Sequence, residues 1–196
     1  MGSGKSTVAL LLRQMGYEVL DADGVARKVL GPGTAGEAEV LKSFGQNLQD
    51  ETRHLDRRAL GRVVFADQVK LARLEAIIHP LVRSEVEAQK RRLAAHGIGA
   101  AFYDVPLLFE KKLRDQFDLV LVVSAAAEVR ARRLKARSQL TDSEIQERSR
   151  HHLAPQTKEA QASAVISNDG DLVQLEKNLR KALSDLKIPR PLTSPD

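Results

Sequence analysis

Residues 2–7 read Gly-Ser-Gly-Lys-Ser-Thr, and Val8, Leu11, Leu12 and Met15 follow at helical spacing. A glycine-rich turn that runs straight into a helix constrains this chain more than any other feature. It matches the second half of the phosphate-binding pattern G-x-x-x-x-G-K-[ST]. Glycines let backbone N–H groups turn inward around phosphate oxygens, and the helix N-terminus adds partial positive charge. In this pattern Gly2, Ser3, Gly4 and Thr7 shape the cradle. Lys5 puts a point charge on the β- and γ-phosphates, and the Ser6 hydroxyl ligates Mg²⁺. The bland alternative is an ordinary glycine-rich loop with an exposed lysine. The pattern's first glycine belongs five positions before Gly4, ahead of Met1, as does the strand that delivers such a loop. The chain as written is therefore expected to be a late start or a truncation, unstable and nearly inactive until roughly ten upstream residues are restored.

The rest of the chain alternates strand and helix signals. Gly16 closes the first helix, and Tyr17–Leu20 reads as a strand leading into Asp21-Ala22-Asp23. Residues from about 27 to 96 read as helical, with Asp56 and Asp67 as caps. Pro80 is expected to end one helix and start the next, which runs to Gly97. Ala101–Val105 and Leu119–Val123 are short apolar runs, as parallel strands covered on both faces require, and Ala164–Ser167 is a third. A basic helix from about Glu128, a helix capped at Thr141 and a last one carrying Leu172, Leu175, Leu179 and Leu183 complete the pattern. This predicts an α/β fold, a three-layer αβα core around a parallel sheet.

Composition excludes several functions. There is no cysteine, hence no disulfide, thiolate metal site or cysteine nucleophile. No apolar run reaches the ~20 residues that cross a bilayer, so no membrane partner and a cytoplasmic location are expected. The net charge is +5, but five cations crowd into residues 130–137 while other segments mix their signs. One local basic segment suits a small phosphorylated ligand better than a duplex. With no Trp, two Tyr and five Phe, base-stacking platforms for nucleic acid are not expected.

Further segments narrow the reading. Val19-Leu20-Asp21-Ala22-Asp23 with Ala26-Arg27, Ile78-His79-Pro80, Val105-Pro106-Leu107-Leu108-Phe109-Glu110, Arg133-Leu134 before Arg137, and Asn168 before Gly170 resemble the dephospho-coenzyme A kinases in order and spacing. The resemblance runs from Gly2 to about Leu183. It implies a nucleotide-binding core (1–34, 97–127 and 153–187), a helical domain gripping the coenzyme A moiety (35–96), a lid (128–152) and a tail (188–196). It further implies ATP and dephospho-coenzyme A as partners, with Mg²⁺. Asp23 would take the proton from the ribose 3′-hydroxyl as it attacks the γ-phosphate, a role that needs a carboxylate within hydrogen-bond reach. A helix cap before Gly24 is the plainer role for Asp23, and Asp21 would act behind it.

Arg133 and Arg137, at i and i+4, share a helix face and would bind the polyphosphate, the alternative being a solvated basic face. Arg130, Arg132 and Lys135 read as such surface charges. Asn168 and Gly170 would contact adenine, although a plain turn explains Asn-Asp-Gly as well. Glu110 would stand at the acceptor pocket's rim or simply at the surface. His79 fits a structural or substrate-edge role, and His151 and His152 do not share a face for a metal. Ser138 and His152 depart from the family's aspartate and glutamine. The rival functions are another small-molecule or nucleoside monophosphate kinase, and a non-catalytic nucleotide- or nucleic-acid-binding module. An acceptor screen and salt-sensitive DNA binding without turnover separate them. Oligomeric state is not legible.

Overall fold

The computed structural model describes residues 2–138 and 153–191, apart from the side chains of Arg137 and Ser138. The expected helix at Thr141, His151, His152 and residues 192–196 lie outside that description. The chain divides into two compact units, residues 1–19 with 105–196, and residues 20–104.

In the first unit, helix α1 (Lys5–Gln14) buries Val8, Ala9, Leu11 and Leu12. It closes as the sequence predicts. Gly16 has φ 86°, the Tyr17 N–H bonds the Leu12 carbonyl at 3.0 Å, and the Gly16 N–H bonds that of Arg13 at 3.0 Å. This is the hydrogen-bond pair of a Schellman end. Strands β3 (Leu121–Ser124) and β4 (Ala164–Ser167) pair in parallel, with Leu121 opposite Ala164. Helix α6 (Ala127–Ser138) carries the basic run, and α7 (Pro155–Glu159) packs on β3. Helix α8 (Leu172–Asp185), capped by Asp171, packs against both β4 and α1. Its Leu175, Leu179 and Leu183 stripe, together with Ile166 and the α1 leucines, forms this unit's core.

The second unit is mainly helical. It holds α2 (Ala22–Val29), α3 (Ala35–Phe44), a 3₁₀ turn (Gln46–Leu48), α4 (Arg57–Phe65) and α5 (Gln68–Ala95). Strand β2 (Ala101–Asp104) lies beside β1 (Glu18–Asp21), within which the boundary between units falls. Leu30, Val40, Leu41, Leu48, Leu55, Leu60, Val64 and Leu74 make one core. Asp56 and Asp67 cap α4 and α5, each accepting two backbone N–H bonds.

Several local expectations need correction. Pro80 does not break the helix: α5 runs unbroken for 28 residues through it. A proline inside a helix forfeits one backbone bond and costs ~3 kcal/mol. Here Leu74 is buried before Pro80, and Val86 and Leu93 are buried after it. Packing on both sides holds the axis against the proline. Helix α2 starts at Ala22, and Asp21 caps it by accepting the Asp23 N–H at 3.0 Å, so Asp23 is not the cap. Strand β4 is not covered on both faces, since Val165 is 45% exposed. Among the described residues β1 pairs with β2 and β3 with β4, within the α/β fold that the sequence predicts. No helix among the described residues is long and apolar enough to cross a membrane.

Candidate active site

Three chain segments meet around the start of α1. Gly4 takes the helix's N-cap position at φ 95° and supplies no side chain to cap it. Only the Gly4 carbonyl turns inward, accepting the N–H groups of Thr7 and Val8 at 3.0 and 3.1 Å. The helix end thus keeps its positive pole toward solvent, with Lys5 and Ser6 exposed on its first turn. Gly2 and Gly4 are fixed by space as well as by φ. A Cβ on Gly2 would meet the Arg130 carbonyl at 2.9 Å, and one on Gly4 would meet Asn168 Nδ2 at 2.1 Å.

Asn168 is 5% exposed. Its N–H donates to the Ser124 carbonyl at 2.8 Å, which fixes it to the end of β3. Its side-chain Nδ2 donates to the Ser3 carbonyl at 2.7 Å. Arg133 of α6 grips the same residue, with Nη1 donating to the Asn168 carbonyl at 2.9 Å and Nη2 to Oδ1 at 3.4 Å. Asp169 fastens the loop to the start of α6 through the Ala126 N–H at 2.6 Å. That N–H, then the Ser167 hydroxyl, and to a lesser degree the Arg133 charge hold its carboxyl below the ordinary range. Asp169 was missed in the sequence, because Asn-Asp-Gly looks like any turn and its partner lies 43 positions away.

The structure therefore brings Ser3, Gly4, Arg133 and Asn168 together. Gly170 is exposed at the following turn. Arg137 lies on α6, but its side chain is outside the described residues. Glu110 is not the isolated carboxylate the sequence allows. It pairs with Lys158 at 2.6 Å, both largely buried, and accepts the Leu153 N–H at 3.1 Å. Burial pushes its carboxyl up, but Lys158 and the backbone donors outweigh this and leave it below the usual value.

In the second unit, Asp23 is exposed on the first turn of α2 and Asp21 is engaged as its cap. Tyr103 of β2 sits near both carboxylates. Burial, then the charges of Asp21 and Asp23, push its phenol above the ordinary value. The apolar run through β2 gave no hint of this. His79 is exposed on α5, its Nε2 3.9 Å from a Glu75 oxygen, beside a groove lined by Pro80, Arg83, Ser84 and Glu87. Among the described residues no three metal-ligating side chains cluster.

The sequence matches the family model for dephospho-CoA kinase over residues 1–174. A dephospho-CoA kinase of Frankia casuarinae is 41% identical over 186 residues, covering 95% of this chain and 80% of that one. One from Anaeromyxobacter dehalogenans is 42% identical over 187 residues, covering 95% and 89%. Among solved structures, a Thermus thermophilus protein superposes with a TM-score of 0.77 at 39% identity, over 95% of this chain and 93% of that one. A dephospho-CoA kinase from Campylobacter jejuni gives 0.72 at 24% identity over 95% and 92%, a likeness of fold.

Proposed function

Because this chain belongs to the dephospho-CoA kinase family, we propose that it moves the γ-phosphoryl group of ATP onto the ribose 3′-hydroxyl of dephospho-coenzyme A. The products are ADP and coenzyme A, in the last step of coenzyme A synthesis. One observation carries this reading on the chain's own residues. The glycine turn of residues 2–4 opens an uncapped helix end, and an arginine of α6 is tied to that turn through Asn168. Such a site gathers donors for a polyphosphate, and phosphoryl transfer asks the protein mostly for positioning and charge neutralisation.

In this reading Lys5 draws charge from the β- and γ-phosphates, and Arg133 and Arg137 spread the negative charge of the transferring group. Asp23 accepts the proton of the attacking hydroxyl. Gly170 leaves the backbone open for the adenine end. Ser6 would hold a Mg²⁺ ion, which when bound neutralises charge across the β- and γ-oxygens. An ion that arrives with the phosphates needs few protein ligands, and the hydroxyl of Ser6, exposed on the first turn of α1, is one. Both substrates are water-soluble phosphates, so we place the reaction in the cytoplasm.

The test is ADP release measured with a panel of acceptors. Dephospho-coenzyme A should support turnover and yield coenzyme A by mass, and nucleoside monophosphates should not. Turnover on a nucleoside monophosphate alone would assign the chain to another acceptor. Binding of ATP with no transfer to any acceptor would make it a nucleotide-binding module.

A further inference from the structure

We propose that Asn168 is a positioning residue for the phosphate end of the nucleotide. It aims a backbone donor of the glycine turn and holds Arg133 in the same frame. This deepens, and rests on, the kinase reading above.

The peptide plane supplies the first half of the argument. A trans peptide points its C=O and its N–H to opposite sides. Asn168 Nδ2 takes the Ser3 carbonyl at 2.7 Å, so the Gly4 N–H is directed away from Asn168. That N–H is one of the donors a phosphate-binding loop presents. Left alone, a peptide between two small residues flips easily, because Gly4 has little steric preference between the two settings. The carboxamide removes that freedom. Gly4 is built around it: any Cβ there would stand 2.1 Å from Nδ2.

The second half concerns Arg133. Its two terminal nitrogens reach the backbone and side-chain oxygens of one residue, at 2.9 and 3.4 Å. A guanidinium carries five N–H donors in a rigid plane, so two spent on Asn168 orient the plane and leave others for an anion. Asn168 is the right residue type for both tasks. Its amide must donate to a carbonyl while its oxygen accepts from a cation. An aspartate would meet the Ser3 carbonyl oxygen with another oxygen, and a leucine would meet neither partner. Its near-complete burial and its bond to Ser124 keep the side chain from swinging away.

The experiment compares wild type with Asn168→Asp and Asn168→Ala for binding of ATP, GTP, adenosine and inorganic tripolyphosphate, with thermal melts to show that each variant is folded. Asn168→Asp should weaken ATP and tripolyphosphate alike, by about tenfold to a hundredfold. Adenosine binding and the preference for ATP over GTP should stay where they were. Asn168→Ala and Arg133→Ala should also be non-additive on ATP binding, since each removes the same hold. Adenosine affinity that falls as far as ATP affinity, or a lost ATP preference, would make Asn168 a base contact and overturn the proposal. So would tripolyphosphate affinity that no variant changes, or strict additivity. Should Asn168→Asp not fold, the alanine variant and the cycle decide on the same criteria. A wild-type protein that binds neither ATP nor tripolyphosphate overturns the kinase reading, and this proposal falls with it.

Discussion

Asp23 and Glu37 are both carboxylates near helix starts, yet one stands exposed and the other is buried. Asp21 already caps α2, so Asp23 is spared that duty and stands exposed. Asp23→Asn is expected to lower kcat by about 10²–10⁴-fold and leave ATP affinity nearly unchanged. Steady-state kinetics with both substrates varied checks this, and a wild-type kcat would remove Asp23 from the reaction. Glu37 is 5% exposed and accepts the N–H groups of Gly33 at 2.6 Å and Leu55 at 2.8 Å, with His54 Nδ1 at 3.2 Å. Burial pushes its carboxyl up, but those donors win and leave it below the ordinary range. Glu37→Gln puts an amide donor against a backbone donor. That should cost about 1–3 kcal/mol, read as a lower urea midpoint at unchanged slope. An unmoved midpoint would mean that water replaces the network. Asp23 stood out in the sequence because its neighbours in the chain form a motif. Glu37 did not, because the Leu55 that explains it lies 18 positions away.

At the scale of elements, what could be read in advance was whatever is encoded within one turn. The Asp56 and Asp67 caps and the Gly16 stop depend on residues two to five positions apart, and all three appear where the spacing puts them. Strand limits shifted by a residue or two. The apolar run from Leu119 begins with a side chain still 42% exposed, and pairing with β4 starts only at Leu121. Pro80 defeated the local reading because its helix is held from outside, by α2, α3 and α4 packed along it. The proline then remains a local cost inside a supported helix. Pro80→Ala should raise unfolding stability by about 1–3 kcal/mol, since alanine restores the N–H that bonds the Ala76 carbonyl. Denaturant titration of the two proteins checks it. A loss of stability instead would show that the proline ring itself is required by the packing around α5. The tie between α6 and the glycine turn was equally invisible, because Arg133 and Asn168 are 35 positions apart.

For the whole molecule, the titrating groups define a pH window. Glu37, Asp50, Asp67, Glu85, Glu110 and Asp169 are all held below the ordinary carboxylate range, chiefly by N–H, hydroxyl and lysine donors. Groups depressed in the folded state lend stability that is complete above their unfolded values, about 4, and is lost as pH falls through the folded ones. Tyr17 and Tyr103 are raised by burial. Their contribution is complete below about 10 and is lost as pH climbs past it. Melting temperature should therefore stay level between about pH 5 and 9 and fall on both sides, with a shallower acid limb in Glu37→Gln. Melts from pH 3 to 11 test this, and a melting point that rises below pH 4 contradicts it. The division into units carries a consequence of another kind. Residues 20–104 are one unbroken stretch, whereas the other unit needs residues 1–19 and those after 104 together. A ribosome makes the chain from its N-terminus at about 5–20 residues per second. The helical unit can therefore close while translation continues, and the segment carrying the glycine turn must wait for Asn168 and α8 to emerge. During synthesis the glycine turn is made ahead of residues 20–104, yet it is among the last segments to find its partners.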